Sequence, residues 1–406
     1  MLCIAVTILP KESSARLSYK APSAKIAPLQ TLPKLDMQGF SEQTTKTDNY
    51  HVRVLLDAQD IGAHQWTLES VNGFIVYDRN DRTKKDSIAD KQLHIRCEMR
   101  GIVINNKRYM SEAIIIAPAQ SDGSITYDSC TYQGIFFVMR WQGRALLINR
   151  VELEDYVFCV LRTESFPGWP LEVNKVFAIA SRSYVIAMIM NARRSSQPYH
   201  IRNTNHHQTY RGVHTFKHLR TAVDDTKGIF IAHKGKPIVA MFDICCGGII
   251  PAHVSGFDFV KAPYLARTYP CTFCKSCKLY EWQVNYSFQE LSLLLKPALV
   301  NLPAIHDFRI TSYDKAGLVK NIMIHSSKTD INLTGKRIYN LLKNIRSLCF
   351  SVQKKNDGIL FKGRGYGHHL GICQWGVREM ERAGHNYHSI LSFYYPYTTC
   401  MRLDYT

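Results

Sequence analysis

The sequence predicts an α+β fold, a mixed helical core with antiparallel β subdomains. Residues 50–150 are a succession of short β-branched and aromatic runs broken by turn residues, and one long helical pattern follows FPGWP. Beyond it, hairpin and helix patterns come in mixed order, without the strand–helix–strand alternation of a parallel sheet. At 406 residues and 46% hydrophobic content, the chain has room for two or three domains with proper cores.

Taken in order, residues 1–49 are rich in Lys, Ser, Thr and Pro and read as a leader and flexible linker. The opening MLCIAVTILPKESSA has an apolar run of signal-peptide length but lacks the positive n-region. It reads as a truncated or atypical export signal, which places the chain in the periplasm or facing the cell wall. From Tyr50, HVRVLLDA, GFIVYD, GIVINNKRY, EAIIIAP and GIFFVMRWQGRALLINRV are punctuated by NG, RND, NN and SDG, which gives a β-rich N-terminal domain over 50–150.

Residues 151–406 form the second domain, with a β/α insertion around 278–350. Its long helix runs through LEVNKVFAIASRSYVIAMIMNARR. Pro170 suits the first turn, Glu172 complements the positive end of the dipole, and Arg193 and Arg194 close the negative end. FKHLRTAVDDTKG reads as a second helix with a glycine stop, and IFIAHKGKPIVAMFDICC as a hairpin turning at KGK. SFQE is a capping box for LSLLLKPALV, FRITSYDKAGLVKNIMIHS is a further hairpin, and GKRIYNLLKNI a short helix. The longest apolar runs, such as FVMRWQGRALLI and YVIAMIM, are broken by charge or short, so no transmembrane segment is expected in the body.

A net charge of +18 favours anionic polymers: nucleic acid, anionic lipid or acidic wall material. No nucleic-acid module is recognisable and the aromatics are not interleaved with a basic stripe, which argues against nucleic acid as a partner. Near the C-terminus, FKGRGYGHHLGICQWG lacks both G-x-G-x-x-G spacing and the Walker pattern, so nucleotide binding has little support. Its glycines fit either a solvated turn or a close backbone approach to a ligand, with Arg364, His368, His369 and Gln374 supplying donors, acceptors and a titratable nitrogen.

Twelve cysteines are too scattered for a small disulfide scaffold. CTFCKSC, residues 271–277, carries the half-site spacing of a zinc knuckle, but no second C-x-x-C or H-x-x-x-H follows. Structural thiols or a disulfide are expected of Cys271, Cys274 and Cys277 ahead of metal, although His253 or Cys245 could complete a site in three dimensions. YHIRNTNHHQTYRG offers His200, His206 and His207, but adjacent histidines rarely bind one ion together, and a ligand-facing loop is the stronger reading. No cofactor is called for.

One lone carboxylate lies among aromatics just before the long helix: Glu164 in LRTESFPGWPLE, beside Phe166 and Trp169. Apolar neighbours would raise its pKa, as a general acid needs at neutral pH; the plainer reading is a surface glutamate. Glu152, Glu154 and Asp155 in VELEDY are given a structural role. Arg182, on a mostly apolar stretch of the helix, must snorkel, pair with a carboxylate or face a cleft.

These pieces together resemble the stage II sporulation protein D family, the SpoIID/LytB domain of amidase enhancers. The resemblance is carried in order by VELEDYVFCVLRTESFPGWPLEVNKVFAIASRSYVIA, HHQTYRG, TAVDDTKGIFIAHKGKPIVAMFDICCGG followed by APYL, and GRGYGHHLGICQWGVREMERAGHNYHSILSFYYP. Family members that act as enzymes look like lytic transglycosylases, lyases that cut peptidoglycan glycan strands after stem peptides are removed. The resemblance implies Glu164 as catalytic acid and Arg182, Gln208, Tyr210, His368 and Gln374 as residues lining a glycan cleft, with the glycines letting the chain press against the sugars. It also implies glycan strands and an N-acetylmuramoyl-L-alanine amidase as partners, in wall remodelling or cell division. Two departures stand out: His369 replaces a usual second glycine, and Cys373 a usual serine. Arg202 and His207 stand where the family often has cysteines, which puts a family zinc site there in doubt.

The expected chemistry is lytic transglycosylation by a single carboxyl group, since the nucleophile is the sugar's own hydroxyl. The alternative is a non-catalytic amidase enhancer that binds wall or hydrolase.

Overall fold

The computed structural model describes residues 30–31, 50–79, 83, 85–204, 207–296, 299 and 303–405. The expected leader and linker, apart from a short strand at Gln30–Thr31, lies outside them. The fold is α+β.

From Tyr50 the chain builds two sheets. The larger orders its strands Ile201–Arg202, His51–Asp60, Arg144–Glu152, Ile135–Trp141, Ala113–Pro118, Phe74–Asp78 and Lys85–Ile88. The other has six strands, with Trp66–Glu69 and Gln92–Glu98 at its centre. Trp66, Leu68 and Ile95 from one sheet and Val54, Ile114, Ile116 and Val138 from the other share one core. The opposite face of the larger sheet is also covered, through Leu55, Ile115, Phe137, Ile148 and Tyr199. Burial on both faces explains why EAIIIAP is a continuous apolar run rather than an alternating one.

The strand Arg144–Glu152 leads straight into helix α1, Leu153–Glu164. Glu164, expected in the loop before the long helix, is the last residue of α1, although Val157, Phe158 and Val160 are weak helix formers. Tertiary burial overrides that propensity: Tyr156, Val157, Val160 and Leu161 are all inside the core. Helix α2, Leu171–Arg194, begins one residue later than expected, with Pro170 as its N-cap residue rather than in its first turn. By length and composition α2 could cross a membrane, but it is mostly buried as the central helix, packed against α1, α3 (Lys217–Asp225) and the strand Ile229–His233.

Downstream elements follow their local signals. Ile229–His233 pairs with Lys236–Pro237 across Lys234 and Gly235, both at positive φ, the turn that KGK announced. Ser287 and Glu290 form a complete capping box at the start of α4, Phe288–Leu295. Ile305–Tyr313 and Val319–Ser326 form the expected hairpin, and GKRIYNL is helix α5, Gly335–Leu341. Residues from 282 to 361 carry a second hydrophobic core of their own, including Trp282, Leu291, Phe308, Ile324, Ile338 and Phe361. The chain then returns to the first core with α6, Gln374–Arg382, and α7, Tyr387–Tyr394.

Arg182 resolves its burial by pairing. Its Nε and Nη2 donate to the Glu154 carboxylate at 3.0 and 2.6 Å, and Nη1 donates to the Ile229 carbonyl at 2.9 Å. Glu154 also accepts from the Gly228 N–H at 3.0 Å and the Tyr405 hydroxyl at 2.5 Å. Burial alone would push the Glu154 carboxyl up, yet Arg182 and these donors hold it below its ordinary value. The pair therefore ties α1, α2, the strand at Ile229 and the C-terminal tail together.

Removing one member of such a pair strands the other charge, so Arg182→Ala should cost about 3–5 kcal/mol in unfolding free energy. The double replacement Arg182→Met with Glu154→Leu should cost less than Arg182→Ala alone, by denaturant titration.

Candidate functional site

Glu164 ends α1 and stays partly open to solvent. Its Oε1 accepts the Thr209 N–H at 2.7 Å, and no other described residue hydrogen-bonds the carboxyl. Burial pushes its pKa from the ordinary 4.5 up to about 7, partly offset by that N–H. Because Oε1 is held as an acceptor, the acid proton belongs on Oε2.

The surroundings of the carboxyl come from three parts of the chain. Its backbone carbonyl, one of the orphans at a helix end, accepts Gln374 Nε2 at 2.8 Å. The segment after α2 brings Gln208, whose Oε1 accepts the Tyr156 hydroxyl at 3.0 Å while its buried Nε2 has no hydrogen bond. Tyr184 of α2 lies near enough that, after burial, the Glu164 charge helps push its hydroxyl up to about 12. That hydroxyl is 3.2 Å from His207 Nδ1. The following loop is held rigid: the Ser165 hydroxyl donates to Asn174 Oδ1 at 2.6 Å, and Asn174 Nδ2 donates to the Trp169 carbonyl at 2.9 Å. It presents Phe166, 42% exposed, with its ring 4.4 Å from Trp169, which meets Trp375 edge-on at 5.8 Å.

Of the residues singled out in the sequence, Gln208 and Gln374 thus gather at Glu164. Arg182 does not: it is fully buried and saturated by Glu154 and Ile229, so it holds the scaffold and cannot line a cleft. Tyr210 is likewise fully buried, stacked on Tyr156 with its hydroxyl donating to Asn149 Oδ1 at 2.8 Å. It positions the Gln208–Thr209 turn from beneath. Their motif positions match the family's blocks, but an apolar interior with a complementary partner outweighs any role in binding. Nothing in the sequence signals Tyr184 of α2 as a neighbour of Glu164, and His207, a candidate metal ligand or loop residue by sequence, meets that tyrosine only through the fold.

His368 is 43% exposed at its side chain and belongs to a loop wrapped on Asp243. The Asp243 carboxylate accepts the N–H groups of His368, at 2.8 Å, and His369, and it lies 3.2 Å from His368 Nδ1. His369 is buried at φ +67°, its Nδ1 donating to the Cys246 carbonyl at 3.0 Å and its Nε2 without a hydrogen bond. The glycines here serve the protein's own packing, contrary to the expectation of contact with sugar. A Cβ on Gly367 would stand 2.1 Å from Asp243 Oδ1, and one on Gly376 would stand 2.0 Å from the Tyr394 hydroxyl and 2.8 Å from Cys271 Sγ.

Among the described residues the histidine metal site is not assembled. His200 Nδ1 accepts the Arg53 N–H at 3.1 Å and His207 faces Tyr184, while His206 lies outside the described residues. The cysteines behave otherwise: the thiols of Cys246, Cys271, Cys274 and Cys373 all lie within 4.8 Å of one another and are buried. Cys245 interacts with Cys274 and Cys373 of this group as well as with Cys277, and His253 is exposed. A groove of about 670 Å³ lined by Trp282, Lys362 and Arg364 opens on the second core's sheet, with no contribution from Glu164.

Two parts of the chain match known protein families. Residues 142–233, which hold α1, Glu164, α2, Gln208 and Tyr210, match the family model described as Stage II sporulation protein, SpoIID. Residues 272–371 match a domain of unknown function, DUF8618. An uncharacterized protein of Brachyspira hyodysenteriae is 29% identical over 296 residues, covering 73% of this chain and 78% of that protein. The amidase enhancer of Bacillus subtilis is 25% identical over 294 residues, 59% of this chain but 39% of the enhancer. Stage II sporulation protein D of Bacillus amyloliquefaciens is 23% identical over 262 residues, covering 61% and 74%. The matched segment thus contains Glu164, the helix behind it and the loop that holds its carboxylate, and residues 142–233 carry the SpoIID family domain.

Proposed function

We propose that this protein acts on the bacterial cell wall as a peptidoglycan lytic transglycosylase. The observation that carries the reading is the Glu164 carboxyl, partly open to solvent yet largely desolvated, with no cation beside it among the described residues and its pKa pushed up to about 7. Glu164 Oε2 gives its proton to the glycosidic oxygen after N-acetylmuramic acid as the C1–O bond breaks. The carboxylate so formed takes the proton of that sugar's 6-hydroxyl while O6 bonds to C1, closing an anhydro ring. Each proton lost is regained, no water is consumed, and one carboxyl suffices, unlike the pair that hydrolytic glycosidases use.

Three further features support it. Exposed Phe166 beside Trp169 offers an apolar face for a sugar ring next to the acid. Gln208, 2% exposed, accepts the Tyr156 hydroxyl and so braces the neighbouring Thr209, whose N–H fixes Glu164 Oε1 and leaves Oε2 for the substrate. The charge of +18 favours capture of an anionic wall polymer, and the substrate strands are those already stripped of stem peptides. The activity requires export to the wall-facing side of the membrane. The name of the Bacillus subtilis relative supports a second reading, in which the chain binds glycan or an N-acetylmuramoyl-L-alanine amidase and enhances it without cleaving.

Incubation with peptide-free glycan strands, followed by mass spectrometry, should give anhydro-muramic ends with the wild type and none with Glu164→Gln, which should still bind. Reducing ends would instead mean hydrolysis with a second carboxylate, and intact bound strands would favour the enhancer.

The pH dependence follows from the same group. The acid must be protonated at the outset, so turnover should decline as pH rises through about 7. Stability carries the same sign: the folded chain keeps a proton that the unfolded chain releases near 4.5. That contribution is full below 4.5 and is lost by about 7, roughly 3 kcal/mol at most by linkage. Glu164→Gln should remove this slope from the difference between urea midpoints measured at pH 4.5 and 7.5.

A further inference from the structure

The thiols of Cys246, Cys271, Cys274 and Cys373 come from three separate stretches of chain. Cys271 and Cys274 form a C-x-x-C knuckle at the 3-10 turn Phe273–Ser276. Cys246 lies 28 residues before Cys274, in the turn after the strand Phe242–Asp243. Cys373 lies 127 residues after Cys246 and is the N-cap residue of α6. All four sulfurs fall within 4.8 Å of one another, and Cys246 Sγ is 3.7 Å from Cys274 Sγ. Four thiolates at the usual zinc–sulfur distance of about 2.3 Å stand about 3.8 Å apart along each tetrahedron edge. An iron–sulfur cluster must fit its own iron and sulfide atoms between its thiolates, and this group leaves room for one ion.

The surroundings suit sulfur as an anion. Cys373 Sγ accepts two backbone N–H groups, from Cys246 and Gly376, each at 3.3 Å, at the positive end of α6. Tyr394, whose hydroxyl lies 3.2 Å from Cys271 Sγ, is itself buried. An independent observation concerns charge. Arg267 is 1% exposed, its Nε and Nη2 make no hydrogen bond, and among the described residues no carboxylate pairs with it. Its guanidinium lies over the rings of Phe393, at 5.2 Å, and Tyr394, at 5.6 Å, one side chain away from the thiols. A buried cation without a counter-ion is costly, and a tetrathiolate zinc centre carries two net negative charges.

We propose that Cys246, Cys271, Cys274 and Cys373 bind one structural zinc ion. With all four positions filled by protein, the ion takes no part in bond cleavage; it staples the knuckle, the Cys246 turn and the start of α6 together. Two contacts of the candidate site depend on that staple. The residue after Cys373 is Gln374, which holds the Glu164 carbonyl, and the Cys246 carbonyl holds the His369 ring. The proposal stands whether or not the chain cleaves glycan.

The test is elemental analysis of the full chain purified under reducing conditions without added chelator, with X-ray absorption at the zinc edge. About one zinc per chain, with four sulfur neighbours near 2.3 Å, is expected. Cobalt(II) exchanged for the zinc should give the intense thiolate charge-transfer and visible bands of a tetrahedral tetrathiolate site. Cys274→Ser and Cys246→Ser should lose most of the metal, while Cys277→Ser and Cys97→Ser keep it. Nitrogen or oxygen neighbours in the absorption spectrum, iron in place of zinc, or metal retained by Cys274→Ser would each overturn the assignment. So would wild-type protein that holds no metal after refolding with excess zinc. The absorption and cobalt measurements use the intact protein, so misfolding of a variant leaves them decisive.

Discussion

Helix α1 carries two buried carboxyl groups with opposite fates, and the candidate site depends on that contrast. Glu154 in the first turn meets Arg182, Tyr405 and the Gly228 N–H and is held as an anion. Glu164, at the other end, meets one N–H and, among the described residues, no cation, and burial drives it toward the neutral acid. Its position at the negative end of the helix dipole disfavours the charge further. The helix is therefore locked in the core by Glu154 at one end, while at the other Glu164 keeps its proton up to about pH 7. A cation beside Glu164 would stabilise the fold and remove the acid at pH 7.

The arrangement also explains why the C-terminal part of the chain must come back. A buried helix end leaves carbonyls without partners, and the side chain of Gln374 supplies the donor for the carbonyl of Glu164 itself. The turn that delivers Gln374 is in turn moulded on Asp243, a buried carboxylate satisfied by two successive backbone N–H groups. Glycines at 367 and 376 are needed because Asp243 and Tyr394 occupy the space a side chain would take. The second core, built from residues between 282 and 361, is inserted before this return and leaves it intact.

Local signals made much of this legible. The SFQE capping box, the KGK turn and the Pro170 helix start each rest on a few adjacent residues, and each is present. A lone acid among aromatics admits desolvation at Glu164 beside the plainer surface reading, and burial does raise its pKa. What could not be read is what depends on distant partners. Arg182 had three outcomes open to it, and only the fold brings Glu154 within 2.6 Å. Tyr210 carries a polar group that sequence alone cannot distinguish from a ligand contact, and Asn149 takes it up inside the core. The CTFCKSC knuckle was discounted for want of a second half in sequence, whereas its companions lie on either side of it at long range.

The two departures from the family pattern, His369 and Cys373, sit on the same short stretch, and their physical consequences are linked. A histidine at φ +67° holds a conformation that a glycine adopts without strain, at a cost of about 1 kcal/mol. It is held there by Asp243 and by the Cys246 carbonyl, so the strain is offset only while the Cys246 turn stays in place. Cys373 binds that same turn through the Cys246 N–H to its sulfur. A serine at 373 could still cap α6, but its oxygen would not join the three neighbouring thiols in a soft tetrahedral set. The substitution of sulfur at 373 and the tolerance of a side chain at 369 are therefore one structural solution: both fix the Cys246 turn against the start of α6, and through Gln374 they fix the end of the helix that presents Glu164.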